Sequence, residues 1–92
     1  MATVTVESCG SGEFRVRVRE SKSETTHIVT VADADYQRLT SGRIPADELV
    51  RRSFEFLLER EPKESILSRF DLRVITRYFP EYDDEMRRRL AG

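Results

Sequence analysis

Few side chains of this 92-residue chain could carry out covalent chemistry. The chain has one cysteine, Cys9, and one histidine, His27. A cysteine–histidine nucleophile pair needs the two side chains within ~3 Å of each other and a third group that orients the imidazole. Cys9 lies in the small-residue turn 8–12, whereas His27 lies in a strand-like run. We therefore expect that the two side chains do not meet.

Metal ions and phosphate groups also lack a recognisable motif. A tetrahedral zinc site would need two further strong ligands, and neither CxxC nor HxxxH spacing occurs. Neither GxxxxGK[ST] nor GxGxxG is present, and a strand-like segment, not a helix, follows Gly10 and Gly12. A single cysteine excludes a disulfide within the chain. The sequence therefore predicts no metal, no cofactor and no internal disulfide.

Paired carboxylates are the remaining route to catalysis. Glu59 and Glu61, or Asp83 and Asp84, are close enough in sequence for acid–base work. However, 17 of the 92 residues are Asp or Glu, so some pairs of this kind arise by chance. Because no nucleophile–base pair, phosphate loop or metal motif accompanies them, we predict that the protein is not an enzyme.

Composition and charge restrict the other function classes. Charged residues make up 36% of the chain, but 16 Lys and Arg nearly cancel 17 Asp and Glu. This balance argues against a protein that binds nucleic acid by bulk charge alone. No apolar run approaches the ~18–20 residues that span a membrane, and no signal-peptide pattern opens the chain. We expect a cytoplasmic protein that does not contact a membrane.

The first third of the chain predicts a small sheet. Apolar and polar residues alternate over 3–7 and again over 14–19, which is the period of a half-buried strand. A third strand is predicted over 25–31, and the polar breaks are too short for the crossover that parallel strands need. His27 shares a face with two valines of this strand. We therefore expect a half-buried packing role for it, with a ligand or pH-sensing role left open.

The rest of the chain predicts helices. The strongest pattern runs from residue 46 to about residue 60, where a wide apolar stripe indicates a central helix. Shorter helices are predicted over 33–39, 63–69, 72–79 and 81–90, with Pro or Asp at several of their starts. In the last of these, acidic residues lead and arginines follow, which matches the helix dipole.

These elements predict an α+β fold, a three-stranded antiparallel meander followed by four to five helices packed on one sheet face. One domain is predicted over 1–92, with the sheet in 1–32 and a helical half in 33–92. The predicted core is Phe14, Val16, Val18, Val29, Val31, Leu49, Val50, Phe54, Leu57, Leu58, Ile66, Leu67 and Ile75.

One block of the sequence resembles a known group of proteins. Residues 54–62 read Phe-Glu-Phe-Leu-Leu-Glu-Arg-Glu-Pro, and Phe-Asp-Leu at 70–72 and Tyr-Phe-Pro-Glu-Tyr at 78–82 follow. This pattern resembles a group of short bacterial proteins of similar length, in which a valine- and threonine-rich hairpin region precedes the same block. The resemblance implies a bacterial cytoplasmic protein. It implies no activity or site residue, because none is assigned to that group.

Aromatic and arginine residues in the C-terminal half suggest a contact surface. The candidate partner surface consists of Arg69, Arg73, Arg77, Tyr78 and Tyr82. Tyrosine and arginine are enriched where proteins bind one another. We therefore predict a non-catalytic protein-interaction module with a protein partner that the sequence does not identify. An open sheet edge could pair two copies, but Arg and Lys near the edges oppose this, so a monomer is favoured over a homodimer.

Nucleic-acid binding is the alternative prediction. The predicted helices 63–69 and 72–79 could form a helix-turn-helix-like pair at residues 63–79, with Arg73 and Arg77 on one face of its second helix. The formal charge of −1 opposes this interpretation, and the turn lacks the glycine often found in such pairs. The sequence leaves open whether the arginines at 69–77 contact phosphate or are solvated.

Overall fold

Three long strands form most of the sheet. The computed structural model describes residues 2–91. The elements in chain order are β1 (Thr3–Gly10), β2 (Glu13–Glu20), β3 (Ser23–Thr30), α1 (Asp33–Thr40), α2 (Ala46–Leu58), a 3₁₀ turn (Lys63–Ser65), β4 (Arg69–Asp71), α3 (Val74–Tyr78) and α4 (Tyr82–Ala91). The predicted α+β class and the antiparallel meander of β1 to β3 are confirmed.

The strand register collects the apolar side chains on one face. Val4 lies opposite Val18 and Val6 opposite Val16, and Val16 lies opposite His27 on the next strand. The apolar residues on this face are buried or half-buried beneath the helices. The alternate residues, which include the arginines of β2, lie on the outer face of the sheet.

The β1–β2 turn depends on Gly12. Its φ is +68°, and a Cβ at this position would lie 2.9 Å from the carbonyl oxygen of Val31. Because the backbones of Gly12 and Val31 lie this close, the Val31 N–H donates to the Gly12 carbonyl at 2.8 Å. Any side chain here would both strain the backbone and push away the chain that leaves β3.

A fourth strand was not predicted from the sequence. β4 lies beside β3 and runs parallel to it, so that the strand order is β1-β2-β3-β4. The predicted helix over 63–69 is wrong, because only a 3₁₀ turn forms at Lys63–Ser65 and the chain is then extended. α1 and α2 supply the long crossover that a parallel pair requires. The sheet is therefore not confined to residues 1–32.

Most of the predicted core is buried, with two exceptions. Leu58 is only partly buried, and Leu67 is 47% exposed. The structure also buries residues that the prediction left out of the core: Leu39, Phe56, Phe70, Leu72, Tyr82 and Met86. No helix within residues 2–91 combines the length and the apolar character needed to cross a bilayer.

Candidate functional site

The structure separates Cys9 from His27, the two residues that could have formed a nucleophile–base pair. Cys9 is exposed on β1, whereas His27 is 2% exposed on β3, and β2 lies between these strands. Within residues 2–91, no group of three or more His, Cys, Asp and Glu side chains is placed to hold a metal ion. His27 is therefore a buried residue of the core.

His27 ties β3 to the segment that leads into β4. Its Nδ1 lies 2.7 Å from the carbonyl oxygen of Leu67, and its Nε2 lies 2.8 Å from the hydroxyl of Thr25. Because a carbonyl can only accept, Nδ1 carries the hydrogen and donates it, and in the neutral imidazole Nε2 accepts from the Thr25 hydroxyl. The ring packs against Phe54 at a centroid distance of 5.3 Å. His27 thus fixes the position of Leu67, 40 residues along the chain.

Replacing His27 tests this positioning role. We expect His27→Leu to lower the free energy of unfolding by about 1–3 kcal/mol, since it removes the hydrogen bond from the buried imidazole to the carbonyl of Leu67. His27→Asn places an amide N–H near the position of Nδ1 and should recover part of the loss. Urea unfolding of both variants measures the difference. Equal losses for Leu and Asn would contradict a role for the hydrogen bond.

The candidate partner surface from the sequence does not form one continuous patch. Arg69 lies on β4, opposite Ile28 on the outer sheet face, and so does not continue a helical row with Arg73 and Arg77. Tyr78 is 66% exposed, but Tyr82 is 1% exposed and is removed from the surface. The helix pair at 63–79 does not form either, because the first of its helices is replaced by a turn and a strand.

Tyr82 has a role inside the core. Its hydroxyl lies 2.6 Å from that of Ser53, which in turn donates to the carbonyl of Leu49 at 2.8 Å. Its ring packs edge-on against Phe56 at 5.2 Å. Burial is the main reason that the pKa of the Tyr82 phenol lies well above its ordinary value, and the hydrogen bond to Ser53 opposes this rise. Tyr82 therefore joins α4 to α2.

An apolar groove lies next to the exposed Tyr78. The β4–α3 groove, as we name it, has a volume of about 180 Å³ and is bordered by the end of α2, the segment 65–67, β4 and α3. Its apolar lining includes Leu57, Ile66, Phe70, Val74, Ile75 and Phe79. Phe70 comes from β4, the strand that sequence reasoning missed, so the groove could not be expected from the sequence.

Two exposed apolar side chains border this groove. Leu67 and Tyr78 are the exposed large hydrophobic residues of the described chain, and both line it. Single exposed apolar residues are common on protein surfaces and need no explanation. Two such residues on one apolar groove bring exposed apolar surface together at one place, and concentrated exposed apolar surface is associated with binding.

Charge at the groove is concentrated on one carboxylate. Glu61 is the charged residue in the lining, and it forms no ion pair with any of residues 2–91. Its neighbours are neutralised: Arg60 contacts Glu81 at 3.1 Å, and Lys63 contacts Glu64 at 2.6 Å. The hydrogen bond between Lys63 and Glu64 raises the pKa of the lysine and lowers that of the glutamate. Glu61 therefore remains available to a cation.

The size of the groove restricts what it can hold. Pockets for drug-sized ligands typically measure ~300–1,000 Å³, whereas this groove measures about 180 Å³. The lining offers the hydroxyls of Ser65 and Tyr78 and the carboxylate of Glu61, and it contains no histidine or cysteine. The groove is suited to accept apolar side chains of another molecule.

Comparisons of the chain with protein-family models, with curated protein sequences and with solved structures found no match. The resemblance to short bacterial proteins that share the block at 54–62 stays a prediction. The groove and the residues that border it are therefore the features of the structure that bear on function.

Proposed function

We propose that this protein is a non-catalytic protein-interaction module that binds a protein partner through the β4–α3 groove. One observation carries the proposal: both exposed large hydrophobic residues of the described chain, Leu67 and Tyr78, lie on this one groove. Leaving two such side chains in water has a free-energy cost that contact with a partner would remove.

Two side chains at or beside the groove, Tyr78 and Arg77, are of types that contribute strongly to binding. Tyr78 offers a rigid apolar ring with a polar hydroxyl. Arg77 is exposed next to it and forms no ion pair within residues 2–91, whereas Arg73 contacts Asp71 at 3.3 Å. Tyrosine and arginine are prominent among interface residues with large binding contributions. Arg77, Tyr78 and Leu67 are therefore the proposed contact residues.

The outer face of the sheet is less suited to this role. Arg15 and Arg17 lie 3.9 and 3.6 Å from Glu7, and Arg19 lies 3.4 Å from Glu24. These ion pairs reduce the positive potential that a phosphate or an acidic partner would need. The side chains around them are mostly threonines, which water solvates well.

We propose that the protein lies in the bacterial cytoplasm and is a monomer in preference to a homodimer. The bacterial and cytoplasmic assignment follows from the sequence resemblance. Arginines lie at or next to both sheet edges, Arg17 and Arg19 on the strand beside β1 and Arg69 on β4. Their repulsion opposes the pairing of two copies edge to edge.

Site-specific photocrosslinking tests the proposed contact. The photoreactive residue p-benzoylphenylalanine replaces Leu67 or Tyr78, and a matched variant carries it at Arg17 on the outer sheet face. Because all three positions are exposed, the substitutions should change stability by less than about 0.5 kcal/mol. After irradiation in a lysate of the source organism, we expect a discrete adduct on a denaturing gel from positions 67 and 78 only. Equal adducts from position 17, or none from 67 and 78, would contradict the proposal.

A further inference from the structure

The groove lies beside backbone groups that no other strand uses. β4 is the last strand of the sheet. The Ile28 N–H donates to the carbonyl of Ser68 at 2.8 Å, and in a parallel pair every second residue directs its backbone groups to the same neighbour. Arg69 and Asp71 therefore direct their N–H and C=O groups away from β3, toward the free edge.

An extended segment could use this edge and the groove together. Backbone hydrogen bonds to a free strand edge provide affinity, and alternate side chains of the added strand enter neighbouring pockets. Phe70 lies between the two edge residues and lines the groove, so the edge and the apolar lining are adjacent. A helical partner could fill the groove but could not satisfy the free N–H and C=O groups of β4.

Charge indicates one further feature of the partner. Glu61 lies in the groove lining, is only partly exposed and has no ion-pair partner in the described chain. A carboxylate in a partly desolvated position is stabilised by a Lys or Arg brought to it. An acidic side chain at the same place would be repelled.

We propose, on the basis of the proposed function, that the β4–α3 groove binds an extended segment of a partner protein. The segment adds to the sheet as a fifth strand beside β4. Its alternate side chains are apolar and enter the groove against Leu67 and Tyr78, and a basic side chain of the segment contacts Glu61.

A displayed library of random peptides of about 12 residues, long enough for an added strand, tests this proposal. The purified full chain serves as bait, together with three variants. Arg69→Pro removes the free N–H that an added strand needs, and edge strands tolerate proline where the N–H faces solvent. Arg69→Ala is its matched control, since it changes the side chain but keeps the N–H. Glu61→Lys reverses the charge in the groove.

The expected result has three parts. The wild-type chain enriches peptides with apolar residues at every second position and a Lys or Arg among them. A synthetic copy of the most enriched peptide binds Arg69→Pro roughly tenfold more weakly than wild type, the effect of one or two lost hydrogen bonds, and binds Arg69→Ala about equally. Glu61→Lys enriches peptides that carry Asp or Glu in place of the basic residue. If circular dichroism shows that Arg69→Pro does not fold, the change in enriched peptides between the wild-type chain and Glu61→Lys still tests the proposal.

Other outcomes overturn the inference and separate it from the proposed function. Apolar residues spaced three and four apart, with equal binding to Arg69→Pro, would show a helical partner and overturn the extended mode. Absence of any enrichment would overturn it as well. In both cases photocrosslinking at Leu67 and Tyr78 decides independently whether the groove binds a protein. A chain that sediments as a dimer, and as a monomer after Tyr78→Ser, would show that a second copy occupies the groove.

Discussion

Phe54→Ala is expected to lower the free energy of unfolding by about 3–5 kcal/mol, the usual cost of removing a buried phenylalanine. The side chain is 0% exposed at the centre of α2. Its ring lies 5.3 Å from that of His27 on β3 and 6.0 Å from that of Phe70 on β4. Truncation would leave a cavity where α2 meets both strands of the parallel pair.

Urea unfolding followed by circular dichroism measures this loss. Glu55→Ala is the control, because Glu55 is exposed on the same helix and forms one surface ion pair with Arg51, at 2.8 Å. Exposed ion pairs contribute about 0–1 kcal/mol, so the control should remain close to wild type. A loss below about 1 kcal/mol for Phe54→Ala would mean that the site collapses around the missing ring and that α2 is not the central helix.

The same substitution should also affect the groove. Phe70 packs on Phe54 and lines the groove, and His27 holds the carbonyl of Leu67. The loss of the Phe54 ring removes the packing partner of both. The N–H groups that join β3 to the β4 segment, Ile28 to Ser68 and Leu72 to Thr30, should therefore exchange hydrogen faster in Phe54→Ala than in Glu55→Ala, even where both variants are mostly folded.

The parts of the fold with a strong local period could be predicted from the sequence. β1 to β3 alternate apolar and polar residues, and the apolar residues of α2 recur at helical spacing. Both patterns place the apolar side chains on one face whatever the rest of the chain does. The core residues of these elements, such as Val16, Val29 and Phe54, are buried as predicted.

β4 and the exposed Leu67 could not be predicted by this kind of reasoning. A three-residue strand with one apolar residue, Phe70, has no period, and its pairing is decided by the free edge of β3, far away in sequence. The sequence pattern places both Ile66 and Leu67 in the core, as neighbours on a helix. Ile66 is in fact extended, with φ −78° and ψ 133°. In extended chain, successive side chains lie on opposite sides, so burying Ile66 exposes Leu67.

Tyr82 was misplaced for a different reason, since tyrosine is common both at interfaces and at the edges of cores. A signal for its burial exists in α2. Ser53 lies four residues after Leu49 and four before Leu57, within the apolar stripe of the helix. The Ser53 hydroxyl donates to the carbonyl of Leu49 on its own helix, and its oxygen can still accept one hydrogen bond, which an aromatic hydroxyl from another helix can donate.

The wild-type chain is expected to lose stability above about pH 10, and Tyr82→Phe is expected to lose less. Burial raises the pKa of the Tyr82 phenol in the folded state, and the negative charge of Asp83 adds to the rise. In the unfolded state the phenol titrates near its ordinary pKa of ~10. Above that pH the unfolded state has lost the proton and the folded state has kept it. The unfolded state is then favoured by up to about 1.4 kcal/mol for each further pH unit.

Urea unfolding of both proteins at intervals from about pH 8 to pH 12 measures this difference, which should appear only above the unfolded-state pKa of ~10. Tyr82→Phe is a suitable control, because Ser53 keeps its hydrogen bond to the carbonyl of Leu49. The variant should therefore lose only about 0.5–1.5 kcal/mol at neutral pH. Lys63, whose pKa is raised by its hydrogen bond to Glu64, also stabilises the fold less at alkaline pH. That contribution is the same in both proteins and cancels in the comparison. If the free energy of unfolding fell equally with pH in both proteins, the Tyr82 phenol would ionise in the folded state at its ordinary pKa. Water would then reach the contact between α2 and α4.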